Sequence, residues 1–96
     1  MDRNVVYNKN VNMVERVIGK EIVLLPVHAQ NHEAVYSLNE AGAFVWNLLD
    51  GRRDIQTIVS SILDEFEIES KKRVNVCQDV IELLDDLQSV GLIFSE

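Results

Sequence analysis

Reactive and cross-linking residues are scarce in this chain. A single cysteine, Cys77, excludes an internal disulfide. Two histidines, one tryptophan, two tyrosines and three phenylalanines leave little material for a catalytic centre or a cofactor pocket. Cations are outnumbered, nine against sixteen acids, for a net charge of −7. Such a surface repels phosphate backbones and anionic lipid, which disfavours general nucleic-acid or membrane binding. Apolar runs are only a few residues long, too short to span a bilayer. The first twenty residues lack the apolar stretch of a secretory signal, so a cytoplasmic protein is expected. What remains is ordinary globular usage, 47% apolar and 26% charged over 96 residues, enough for one small domain.

The segment up to about Asn12 is polar and Asn-rich, and reads as a loose arm or a weak first strand. Met13–Ile18 is rich in Val and Ile. Gly19-Lys20 suits a type II′ hairpin turn, with glycine in the first turn position. Glu21–Val27 is apolar on both alternating faces, as in a central strand, and Pro26 should end its pairing. Gln30-Asn31-His32 breaks the pattern before a short strand over Ala34–Leu38. Short connections favour an antiparallel meander with this last strand on an edge.

From Asn39 the period becomes helical. Asn39 is a good N-cap for a helix over Glu40–Asp50, with Phe44, Val45, Leu48 and Leu49 at core spacing and Gly51 past its end. Trp46 cannot share the face of Phe44, and its large indole favours core packing. Asp54 caps a second helix reaching Glu65 or Phe66, with Ile55, Ile58, Val59, Ile62 and Phe66 on one stripe. Ser70 is the expected cap of a third helix over Lys71–Val90, ended by Gly91. Leu92-Ile93-Phe94 then forms an apolar tail that packs back. On the third helix the apolar residues from Val74 to Val90 fill an arc of about 200°. A surface helix needs little more than ~100°. The helix therefore either packs on two sides or leaves one apolar flank free beside the third strand.

Candidate chemistry is sparse. His28 and His32 lack two further metal ligands. Cys77 lies within the apolar arc as a small hydrophobe, and no serine sits in a nucleophile elbow. The second and third helices could form a winged helix-turn-helix, but Asp79, Glu82, Asp85 and Asp86 follow the basic start of the third helix and argue against DNA. Lys71, Lys72 and Arg73 oppose the macrodipole at that start. They either balance the acidic run Asp64–Glu69 or clamp an acidic partner peptide.

The combination of Val23–Pro26, Val35–Glu40, Ala43, Val45-Trp46, Leu48–Arg53, Ile55, Ile58-Val59, Asp79-Val80, Leu83-Leu84, Leu87 and Gly91–Ile93 resembles the PqqD family, named for a pyrroloquinoline quinone (PQQ) synthesis protein. The resemblance covers about residues 14–94. A charged insert, Glu67–Arg73, separates the second and third helices. The resemblance implies an α+β fold: a three-stranded antiparallel sheet followed by a three-helix, winged-helix-like bundle. It further implies a non-enzymatic peptide chaperone without a cofactor. Such a protein binds the leader of a ribosomally synthesised precursor peptide and presents it to a radical SAM or related maturation enzyme, in PQQ-type cofactor or peptide natural product biosynthesis.

In that family the leader joins the edge of the third strand and packs on the third helix. The matching positions here are Val35, Tyr36, Ser37 and Leu38 for the edge, and Val76, Val80, Leu83 and Leu87 for one helix flank. Lys72 and Arg73 are the candidate clamp. The opposite flank, Val74, Cys77 and Ile81, is the other candidate wall. An exposed edge without Lys or Pro is also open to pairing with a second copy, as a homodimer. A regulator binding DNA or a regulatory protein is the alternative reading.

Overall fold

The computed structural model describes residues 5–26 and 35–95. In chain order these form β1 (Tyr7–Lys9), β2 (Met13–Ile18), β3 (Glu21–Pro26), β4 (Tyr36–Leu38), α1 (Glu40–Asn47), α2 (Ile55–Glu65), a 3-10 turn at Ser70–Lys72, α3 (Arg73–Ser89) and β5 (Ile93–Ser95). The expected mixed architecture is present, a three-stranded antiparallel sheet followed by helices. His28, His32 and the Gln30–His32 break lie outside the described residues. Among those described, no helix is long and apolar enough to cross a membrane.

The sheet runs β2-β3-β4, so β3 is central as its composition predicts. Gly19 takes φ +62° while Lys20 does not enter the left-handed region, the pairing a type II′ turn requires. Ile18 therefore faces Glu21, and the register continues to Met13 opposite Pro26, where the strand ends. Opposed residues share a face. Ile22 and Leu24 lie beside Leu38 and Tyr36 and turn toward the helices, where Leu24 is fully buried. The other face of β3 is less covered than its double apolar pattern suggests. Val14, Ile18 and Leu25 are exposed there, and among the described residues all three helices follow the sheet in the chain.

α1 begins with the predicted cap, the Asn39 side chain accepting from the Gly42 N–H at 2.9 Å. It stops at Asn47 rather than Asp50. The Asp50 carboxylate instead accepts from the N–H groups of Arg52 and Arg53 (2.9 and 3.2 Å) and pairs with the Arg53 guanidinium at 2.8 Å. A short acid that bonds its own downstream backbone favours a turn over another helical residue. Gly51 completes the turn at φ +77°, its N–H donating to the Tyr7 carbonyl at 2.9 Å.

A Cβ on Gly51 would collide with the Asn8 carboxamide, whereas Gly19 has open space. Gly51→Ala should therefore cost more than about 1 kcal/mol, since strained φ and steric overlap combine. A thermal melt should fall by several degrees, and by clearly more than for Gly19→Ala.

Asp54 caps α2 as predicted, accepting from the Thr57 N–H (2.9 Å) and hydroxyl (2.8 Å). Those bonds hold its carboxyl below the usual aspartate range. Asp50 is lowered likewise, chiefly by the Arg52 N–H. A carboxylate with a lowered folded pKa supports the fold above its unfolded value, about 4, and withdraws that support as pH falls through the lower folded value. The stability difference between wild type and Asp54→Ala should accordingly be present at neutral pH and shrink steadily below about pH 4 in urea titrations.

Ile55, Ile58 and Val59 are fully buried, and Ile62 nearly so. They anchor α2 against α3. Ser70 does not cap α3. Ser70–Lys72 form a 3-10 turn, Lys72 occupies the cap position, and it has no side-chain bond. Arg73 reaches back instead to Gln56 Oε1 (2.8 Å) and Ser60 Oγ (3.0 Å), fixing the α3 start to α2.

At the other end Gly91 turns the chain at φ +79°, and Leu92 and Ile93 are buried. The apolar tail does pack back, as β5 paired to β1 with Lys9 opposite Ile93 and Tyr7 opposite Ser95. Part of the N-terminal segment is thus a strand, and Tyr7 is core. Trp46 is fully buried, as expected. Its indole N–H donates to Glu15 Oε1 at 2.6 Å, and Lys9 Nζ lies 4.9 Å from the ring centroid. Phe44 packs edge-on against Phe66, centroids 5.6 Å apart.

Candidate functional site

β4 has β3 on one side only; among the described residues no strand borders its other edge. An edge strand presents outward backbone N–H and C=O groups, which a peptide can satisfy by adding a strand. Beside this edge lies a groove of about 510 Å³ between β4 and α3. Tyr36, Ser37, Leu38 and Asn39 form one wall, and Val76, Asp79, Val80 and Leu83 the other. Ala41, Gly42 and Val45 of α1 line it from below with Ile62 of α2, and Ile68 contributes from the link to α3. Gly42 permits this closeness: a Cβ there would press to 3.3 Å on both Leu38 and Asn39.

The structure thus brings together Tyr36, Ser37, Leu38, Val76, Val80 and Leu83 from the predicted site. Four other candidates fall elsewhere. Val35 precedes β4 and is half exposed outside the groove. Leu87 is fully buried, because it lies on the middle of the helix's apolar arc, where it packs into the core. Lys72 is exposed and does not line the groove, and Arg73 is held by α2. Lys71 pairs with Glu69 at 3.1 Å, as expected for charges balancing the acidic run.

The wide apolar arc has both uses foreseen for it. Cys77, Val80, Leu84 and Leu87 pack into the core, while Val76 and Leu83 remain half-buried along the groove. The flank with Val74 and Ile81 faces away from it, and Val74 is 79% exposed.

Ala41, Gly42, Val45, Ile62, Ile68 and Asp79 also line the groove, and the sequence reading did not assign them to the site. Ile68 carried a signal, being the one apolar residue of the Glu67–Arg73 insert. Glu67 takes φ +53°, a left-handed turn that redirects the chain just before Ile68. At the mouth, burial and then the nearby Asp86 carboxylate raise the Tyr36 hydroxyl above the usual tyrosine value. The lining is otherwise mostly apolar, and Asp79 is its one charged residue.

Residues 21–93 match the family described as coenzyme PQQ synthesis protein D (PqqD). No curated protein matches the chain. Among solved structures, TbiB1 in complex with the TbiA(beta) leader peptide is similar at TM-score 0.72 and 26% identity. That match covers 88% of this chain and 92% of TbiB1. With a family match over most of its length, the chain belongs to the PqqD family.

Proposed function

We propose that this protein is a leader-peptide chaperone. It binds the leader of a ribosomally made precursor peptide as an added strand along β4, seats alternate side chains in the β4–α3 groove, and presents the rest of the peptide to a maturation enzyme. A radical SAM enzyme is the partner class that fits the family. The open β4 edge facing an apolar groove carries this reading, and the leader-bound state of TbiB1 supports it. The role is one of binding: the polar groups of the lining are a cap side chain, a hydroxyl, a phenol and one carboxylate, with no nucleophile–base pair among them. The DNA-binding alternative meets an α3 whose Asp79, Glu82, Asp85 and Asp86 are all exposed, a surface that repels phosphate.

A displayed library of random peptides, selected on the immobilised protein, tests the proposal. Enriched peptides should shift the amide resonances of residues 36–38 and of the groove side of α3, and show cross-strand contacts to β4. Peptides that bind elsewhere, or a selection yielding none, would overturn it.

A further inference from the structure

The groove side of α3 carries a repeating stripe. At about 100° per residue, Val76, Asp79, Leu83 and Asp86 fall within a strip about 80° wide. Val76 and Leu83 are half-buried groove lining, and Asp79 and Asp86 are exposed. Asp86 follows Leu83 by about one helical turn, beyond the residues that line the groove, and its carboxylate is near enough to Tyr36 to help raise that hydroxyl. Asp79 lines the groove itself. Among the described residues neither carboxylate has a cationic partner. The protein's net charge of −7 reinforces the negative field around both.

Resting on the peptide-binding reading above, we infer that the groove selects a basic guest segment of the form basic–x–apolar–x–basic, its outer side chains meeting Asp79 and Asp86 and its central one meeting Leu83. For a guest strand that runs alongside α3, the spacing fits. Asp79 and Asp86 are separated by about 10.5 Å along the helix axis, with Leu83 between them. On an extended strand, same-face side chains recur about every 6.8 Å, so the outer two of three are about 13.6 Å apart. The mismatch of about 3 Å, shared between two ends, lies well within the reach of a flexible lysine stem or an arginine fork. The added strand supplies sequence-independent affinity, and the stripe supplies the choice of guest. The lysine cluster before α3 has no part in this selection, since it lies off the groove.

The displayed random library provides the test, read by sequence. Peptides that shift residues 36–38 should be enriched in the basic–x–apolar–x–basic pattern. Their affinity should fall about threefold for Asp79→Asn and for Asp86→Asn, and about tenfold for a single charge reversal to lysine. The loss should fade as salt rises. Asp85→Asn, on the same helix but acting on Tyr7, should leave affinity unchanged. Selection on the Asp79→Lys, Asp86→Lys double variant should return acidic residues at the two outer positions. Peptides that bind at β4 without basic enrichment, and that ignore both carboxylates, would overturn the inference while leaving the chaperone reading standing. Failure to obtain any peptide at β4 would overturn both.

Discussion

Prolines at positions 36 and 37 should give opposite phenotypes. Along β4 successive N–H groups point to opposite edges, one toward β3 and the next outward. Ser37 lies opposite Val23, and Tyr36 opposite Leu24. One of the two prolines therefore removes a ladder bond to β3 and destabilises the sheet. The other removes only an outward donor and leaves the fold intact. The folded variant should bind guest peptides about a hundredfold more weakly. It leaves a peptide carbonyl without its partner, and the ring blocks close approach, which together cost about 2–3 kcal/mol.

Urea midpoints identify which proline is tolerated, and titration of a selected peptide measures the binding loss. Tyr36→Ala separates loss of the groove wall from loss of the donor. Wild-type affinity in a folded proline variant would exclude strand addition along β4.

Truncation of Trp46 to alanine should be the most damaging single change to the core. The side chain is fully buried where α1 meets the inner face of the sheet. Removing a buried aromatic of this size costs about 3–5 kcal/mol, a large share of the ~5–15 kcal/mol that holds a small domain folded. Trp46→Phe retains most of the volume but loses the 2.6 Å bond to Glu15, for about 1 kcal/mol from the hydrogen bond alone. Urea unfolding followed by far-UV circular dichroism should show the midpoint falling with little change in slope. Equal midpoints for wild type and Trp46→Ala would mean that the α1–sheet contact contributes little.

Features governed by short-range chemistry were legible in the residues. The Gly19-Lys20 turn, the Asn39 and Asp54 caps and the stripe of Ile55, Ile58, Val59 and Ile62 each act within a few neighbours, and each is found where its pattern places it. Features that needed distant partners were less so. Three residues of β1 carry too little alternation to declare a strand, and they form one because β5 returns from the far end of the chain. Asp50 reads as the last helical residue until its carboxylate finds the Arg52 and Arg53 amides.

The site divided in the same way. Helical spacing put Val76, Val80 and Leu83 on one flank. It could not separate Leu87, which the core absorbs, from residues that line the groove. The groove's lower lining comes from α1 and α2, and only their packing brings Val45 and Ile62 beneath β4. Lys72 and Arg73 stand with Lys71 as clustered positive charge at a helix start. The one charged side chain that lines the groove is instead an acid, Asp79.

The chain's sole indole lies sealed in the interior and outside the groove lining. Its fluorescence should be blue-shifted, resist quenching by iodide or acrylamide, and hold constant while a ligand docks. The protein is thus optically quiet toward its cargo, and a tryptophan placed in the bound peptide would report occupancy against a steady background.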